Sequence, residues 1–167
     1  MFYRRRLPHW QPEPIAGTSL FITWRLAGSL PRTHEGQVVP AAKPAGKAFV
    51  MNDRQADQAT SGPLWLKDPR VAKMVRDTLW RGEQERLFYE LQAWVIMPNH
   101  VHVLWQPKAP LSKILRWLKG STAYKANKIL GRTGHAFWQD EFKWVHEEDT
   151  QQVAEIAGGS ACPTMPK

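Results

Sequence analysis

The chain has 167 residues, a length that suits one domain, and 43% of them are hydrophobic, enough to build one core. Its formal net charge of +8 is typical of proteins that bind a polyanion, nucleic acid first, although a basic surface kept for solubility would look the same. One cysteine excludes an internal disulfide, no apolar run reaches the ~20 residues that span a bilayer, and no secretory signal is recognisable, so we expect a soluble, cytoplasmic protein.

The first elements in chain order are a basic arm and a strand. Residues 1–17 predict an arm that is basic and then proline-rich, and three consecutive arginines in it are candidate DNA contacts: Arg4, Arg5 and Arg6. In TSLFITWRL, residues 18–26, apolar and polar side chains alternate. This alternation predicts a strand with one buried face.

A loop and a helix are expected next. Residues 31–47 are rich in Pro, Gly and Ala and predict a loop, and residues 49–62 could hold a short helix. Asp68 followed by Pro69 is a helix start, because the carboxylate can accept from the first free N–H groups and proline fits the first helical position. Apolar residues at helical spacing then predict a helix up to about residues 81–82.

The second half predicts a hairpin and another helix. Residues 87–97 and 100–106 are apolar strands separated by the turn dipeptide Pro98-Asn99. Residues 111–130 carry a helical apolar stripe that ends before Gly131. The order β-α-β-β-α is most of a ferredoxin-like (RRM-like) α+β unit, an antiparallel sheet with helices on one face; a fourth strand is not obvious.

The helix over 111–130 also carries a basic face. Its candidate phosphate contacts are Arg116, Lys119, Lys125 and Lys128. An ordinary hydrated helix surface is the alternative interpretation.

The stretch VIMPNHVHVLW places two histidines two residues apart in a predicted strand. Strand side chains alternate between faces, so His100, His102 and Leu104 share one face while Val101, Val103 and Trp105 share the other. Two imidazoles at this spacing can chelate one divalent ion on the open face of the sheet, or can be merely satisfied or solvent-facing.

If an ion is bound there, the fitting chemistry is attack on a phosphodiester. Mg²⁺ or Mn²⁺ would need a third protein oxygen ligand besides water and a phosphate oxygen. The nucleophile could be water, as in a nuclease, or a tyrosine, as in a covalent DNA strand transferase.

Several blocks together resemble one family. MPNHVHVLW resembles the His-hydrophobic-His motif of HUH single-tyrosine transposases, and the REP-associated tyrosine transposase group in particular. RRRLPHWQPE and LFITWRLAGSLP resemble its N-terminal signature, and the sequence from YELQAWVIMPNH to GHAFWQDEF resembles its central block. The resemblance covers roughly residues 4–150.

This resemblance implies a ferredoxin-like fold, Mg²⁺ or Mn²⁺ as cofactor, and single-stranded DNA with hairpin-forming repeats as partner. The sequence leaves both a monomer and a homodimer open. It further implies cleavage and rejoining of DNA through a 5′-phosphotyrosine. Carried over by position, His100 and His102 are the metal ligands.

The C-terminal end departs from the family pattern. The nucleophilic tyrosine is expected near Gly158 or Gly159, and no tyrosine follows Tyr124. Tyr124 is therefore a weak candidate for the nucleophile. We expect a transposase-like domain over residues 1–157 and an aberrant, disordered tail over 158–167, which reads like a truncated or frameshifted end.

Three functions remain open from the sequence. The first is a transposase that binds DNA hairpins and transfers strands through tyrosine, with its nucleophile helix missing in this chain. The second is a catalytically inactive DNA-binding remnant or regulator. The third is a metal-dependent nuclease that uses water, for which no general base is evident beside the histidines.

Overall fold

The structure, a computed structural model, describes residues 17–29 and 62–146. The arm, the loop over 31–47, the short helix over 49–62 (apart from Gly62), the expected tyrosine position and the tail over 158–167 lie outside these ranges. The described elements are β1 (Leu20–Leu26), a 3₁₀ turn (Trp65–Lys67), α1 (Pro69–Gln84), β2 (Tyr89–Ile96), β3 (His100–Pro107), α2 (Leu111–Ile129) and β4 (Trp138–His146).

The four strands form one antiparallel sheet in the order β2-β3-β1-β4. β1 is central: its Trp24 pairs with Val101 of β3 on one side and with Phe142 of β4 on the other. With helices after β1 and β3, the chain runs β-α-β-β-α-β, so the predicted ferredoxin-like α+β fold is confirmed.

The strand β4 is the element that the sequence did not make obvious. Leu26 pairs with Trp138 and Trp24 with Phe142, so a step of two positions along β1 corresponds to a step of four along β4, and the register is irregular there. This irregularity breaks the simple alternation that signals a strand. The buried Trp138 and Phe142 nevertheless close the core on this side.

The core lies between the helices and one face of the sheet. β1 contributes Leu20, Ile22, Trp24 and Leu26, all 0–1% exposed, and β3 contributes Val101, Val103 and Trp105, all 0% exposed. Helix α2 buries one stripe against the sheet, as its apolar pattern predicts, and Ile129 at its end is partly buried. The stripe consists of Leu111, Ile114, Leu115, Leu118, Thr122 and Ala126. The remaining side chains of β1 and β3 therefore lie on the opposite face of the sheet, which the helices do not cover.

Helix α1 begins as predicted and ends two residues later than expected. The Asp68 carboxylate accepts from Arg70 N–H at 2.9 Å and caps the helix. Near its end, Gly82 allows the side chain of Tyr89 to pack against the helix, since a Cβ at this position would overlap the tyrosine hydroxyl. That hydroxyl donates to Leu79 O at 2.7 Å, and burial raises the Tyr89 pKa.

Candidate metal centre and nucleic-acid surface

His100 and His102 project from β3 on the face of the sheet that the helices do not cover. The alternation that placed them together, opposite Val101 and Val103, is confirmed. They are not exposed as expected for an open face: His100 is 0% and His102 is 8% exposed. Phe21 of β1 helps to bury His102, because its ring stacks on the imidazole with the two ring centroids 5.4 Å apart.

The two imidazoles converge on each other through the same ring atom. His100 Nε2 lies 2.8 Å from His102 Nε2, and the ring planes are inclined by 81°. Two nitrogens that each stand about 2.1 Å from one ion at a right angle are about 3 Å apart. The observed separation therefore fits two neighbouring ligands of a single octahedral ion.

The remaining ring nitrogens are each held by an oxygen. His100 Nδ1 lies 2.6 Å from Asn99 Oδ1, and His102 Nδ1 lies 2.7 Å from Thr23 Oγ1. Metal-binding histidines characteristically have the second ring nitrogen fixed in this way, because the contact sets the orientation of the ring. The donor set thus fits a divalent ion at the two Nε2 atoms.

Both imidazoles are neutral at neutral pH. Burial, with a smaller contribution from the charge of Arg25, lowers the His100 pKa to about 4. Burial and the neighbouring His100 lower the His102 pKa to about 3. Arg25 stands beside the pair because it faces His100 across the β1–β3 ladder, and its Nε donates to Gln139 Oε1 at 2.8 Å. Neutral imidazole is the form that binds a metal ion.

Within residues 17–29 and 62–146, no group of three His, Cys, Asp or Glu side chains could complete an ion's shell. The described strands bring the histidine pair together with the hydroxyl of Thr23 and with the side chains of Arg25 and Gln139. The acidic and glutamine-containing segment after His146 lies outside the described residues.

Sequence reasoning missed Thr23 and Asn99 as members of this site. Alternation had placed Thr23 on the polar face of the first strand, but its contact with His102 depends on how β1 and β3 pair, and these residues are 79 positions apart. Asn99 had been interpreted as a turn residue only. It is 2% exposed, and its amide is directed at His100.

The predicted basic face lies on α2, whose sequence contains five Lys or Arg residues and no acid. Arg116 and Lys128 are exposed and Lys125 is half-buried. Lys119 is engaged within the fold, since its Nζ donates to Gln139 O at 2.5 Å and to Asp140 O at 3.0 Å. The predicted contacts Arg4, Arg5 and Arg6 lie outside the described residues.

Helix α1 differs from α2 in its charge balance. Its cations form ion pairs with acids, such as Lys73 with Asp77 at 2.7 Å and Arg81 with Glu85 at 3.1 Å. The positive charge of α2 has no such compensation along its own length. A phosphate backbone would therefore be attracted to α2 more than to α1.

Two tyrosines lie in the described part of the chain, and neither is beside the histidines. Tyr89 is 1% exposed in the core. Tyr124 is 69% exposed on α2, which packs on the sheet face opposite to the one that carries His100 and His102. Helix and sheet thus stand between Tyr124 and the imidazoles of the same chain.

Comparison with known proteins gives one matching family and several similar structures, of which two are described. The sequence model of the family described as IS200-like transposase matches residues 65–156. A REP-associated tyrosine transposase bound to a REP hairpin is 18% identical, with a TM-score of 0.46, over 88% of this chain and 66% of that one. The chain thus spans slightly less than two thirds of that protein's length.

A candidate transposase from Deinococcus radiodurans is 16% identical, with a TM-score of 0.49, over 89% of this chain and 95% of that one. No curated protein matches the chain. No helix in the described residues is long and apolar enough to cross a membrane.

Proposed function

Because the chain belongs to the family of IS200-like transposases, we propose that it binds single-stranded DNA with hairpin-forming repeats and holds a divalent ion for strand cleavage and rejoining. We place this function in one domain over residues 1–157. The observation that carries the proposal is the convergence of His100 Nε2 and His102 Nε2 at 2.8 Å.

In this proposal His100 and His102 hold Mg²⁺ or Mn²⁺ through Nε2, and Asn99 and Thr23 orient the two rings. A divalent ion in this position supplies Lewis-acid polarisation of the scissile phosphate. Both imidazoles are neutral at neutral pH, so an ion at the pair does not compete with a positive charge on either ring.

The DNA backbone is assigned to the outward face of α2. Arg116 and Lys128 are exposed there without an acidic partner in the described residues, and Tyr124 between them offers a ring on which an unpaired base can stack. Lys119 and Lys125 remain proposed contacts. The ammonium of Lys119 would reach a phosphate only by leaving, or sharing, the two carbonyls of β4.

A second function, DNA binding without catalysis, is favoured by the position of the tyrosines. The hydroxyl of Tyr89 is buried and bonded to Leu79 O, and Tyr124 lies across the sheet from the imidazoles. Effective nucleophilic attack requires near-contact between the hydroxyl and the phosphate. In this case the chain is a recognition module that retains the histidine pair.

The test is the intact mass of the full chain after incubation with a single-stranded hairpin oligonucleotide and Mg²⁺ or Mn²⁺. A mass gain equal to the 5′-linked DNA fragment supports strand transfer, and peptide mapping with a Tyr124→Phe control identifies the tyrosine. Hairpin binding without an adduct supports the recognition module. Shortened DNA without an adduct supports a water-using nuclease, and failure to bind the hairpin refutes the proposal.

A variant of one histidine tests ion binding separately from DNA binding. We expect His100→Ala to abolish binding of Mn²⁺, because one of two converging ligands is lost, while charge-driven binding of the hairpin persists. Equal Mn²⁺ affinity in the variant and the unaltered protein would remove the histidine pair from the metal centre.

A further inference from the structure

The contacts of the two histidines with Asn99 and Thr23 allow their protons to be assigned. Asn99 Oδ1 can only accept a hydrogen bond, so His100 donates to it from Nδ1. A neutral His100 then has no proton on Nε2, and this atom accepts. The 2.8 Å contact between the two Nε2 atoms therefore requires His102 to donate from its Nε2.

The same reasoning fixes the role of the Thr23 hydroxyl. Because His102 carries its proton on Nε2, its Nδ1 accepts, and the Thr23 hydroxyl donates to it at 2.7 Å. The hydrogen bonds thus run in one direction, from Thr23 through His102 and His100 to Asn99. His100 already presents a bare Nε2, whereas His102 does not.

An ion held by both Nε2 atoms requires the other tautomer of His102. The proton leaves Nε2 and Nδ1 gains one, so the number of protons on the ring is unchanged. The Thr23 Oγ1–H bond must then turn away, so that the oxygen accepts from Nδ1–H. A hydroxyl can do both, whereas the Asn99 carbonyl oxygen is required only to accept in both states.

We propose that Thr23 is a positioning residue that sets the tautomer of His102, donating to Nδ1 without the ion and accepting from Nδ1–H with it. This inference rests on the proposed function, because it presupposes an ion at the histidine pair. It assigns distinct roles to the two oxygens: Asn99 holds His100 permanently in the ligand tautomer, and Thr23 allows His102 to change.

Thr23→Val tests the switch, because valine keeps the β-branched shape of a residue that is 9% exposed in a central strand and replaces only the hydroxyl by a methyl group. In this variant the ion-bound state would lose the Thr23 hydroxyl as the acceptor for the His102 Nδ1–H. Loss of such an orienting partner weakens metal binding by about 10- to 100-fold. Thr23→Ser keeps the hydroxyl and is the matched control, expected to bind the ion nearly as tightly as the unaltered protein.

The readout is the ¹⁵N chemical shift of the imidazole nitrogens in the full chain, with and without Mg²⁺ or Zn²⁺, together with ion affinity by calorimetry. We expect His102 to change from the Nε2–H to the Nδ1–H tautomer on ion addition while His100 remains Nδ1–H. We also expect Thr23→Val to lose affinity by 10- to 100-fold and Thr23→Ser to retain it.

Each other result overturns the inference in a distinguishable way. If His102 is Nδ1–H before the ion is added, the switch is absent while the metal centre of the proposed function stands. If Thr23→Val and Thr23→Ser bind the ion equally well, Thr23 does not position His102. If neither imidazole responds to the ion, both the switch and the metal centre fail, and hairpin binding measured without the ion then shows whether the DNA part of the proposed function survives.

Discussion

The buried histidine pair makes the stability of the fold depend on pH between about 6.5 and 5, above the range in which most carboxylates titrate. The pKa values of His100 and His102 are lowered to about 4 and about 3 from an ordinary value of 6.5. Between pH 6.5 and those values the unfolded chain binds more protons than the folded chain. The free energy of unfolding therefore falls as the pH falls below 6.5.

The magnitude at pH 5 follows from the unfolded state alone, because both folded pKa values lie below 5. For each histidine that is protonated in the unfolded chain but neutral in the folded chain, the free energy of unfolding falls by about 1.4 kcal/mol per pH unit. From 6.5 to 5 each imidazole accounts for about 2 kcal/mol, and the pair for about 4 kcal/mol. A loss of this size is a large fraction of the stability of an ordinary domain.

The assay is urea unfolding at pH 7 and pH 5 on the unaltered chain and on the double variant H100Q/H102Q, whose amides do not titrate. The difference between the two proteins isolates the pair from all other groups. In parallel, the Hε1 resonances of His100 and His102 in the unaltered chain should not titrate above pH 5, a measurement that does not depend on the variant folding. Equal pH dependence in the two proteins, or a resonance with a midpoint near 6.5, would refute the neutral buried pair.

Three further predictions concern packing and charge. Gly82→Ala should lower the free energy of unfolding by about 1–3 kcal/mol in urea despite alanine's better helix propensity, because the methyl group would overlap the tyrosine hydroxyl packed on α1. Thr122→Val should lower the free energy of unfolding by about 1–3 kcal/mol, because the buried indole N–H of Trp138 donates to the Thr122 hydroxyl at 2.8 Å and would lose this acceptor. Thr122→Ser keeps the hydroxyl and should recover most of the loss. Arg116→Gln with Lys128→Gln should reduce the salt dependence of binding to single-stranded DNA by a slope of about 1.4, while Lys73→Gln on α1 should leave the slope unchanged.

The sequence predicted those elements whose apolar pattern is regular. The stripe of α2 and the alternation around Trp24 and Val101 are set by local spacing, and the structure reproduces them. β4 was not predicted, because its irregular register with β1 interrupts the alternation of apolar and polar residues between Trp138 and Phe142. Local periodicity thus suffices for most of this fold and fails where one strand is adjusted to its neighbour.

The site was predicted in part for a related reason. Two histidines two residues apart on a strand must share a face, so their pairing is a local property. Their burial and their oxygen partners depend on the tertiary arrangement: Thr23 reaches His102 only because β1 and β3 are adjacent, with Thr23 opposite His102 in register. The side-chain direction of Asn99 is likewise invisible in the turn signal that predicted its backbone.

The hydrogen bonds of the pair also bear on what its presence means. Thr23, His102, His100 and Asn99 form a continuous chain of contacts of 2.6–2.8 Å. Replacing one member would remove a hydrogen bond from a buried polar group, at a cost of about 1–3 kcal/mol. The histidines can therefore contribute to the stability of this fold whether or not DNA is cleaved. For this reason ion binding, the tautomer of His102 and the protein–DNA adduct are three separate measurements, and only the adduct bears on strand transfer.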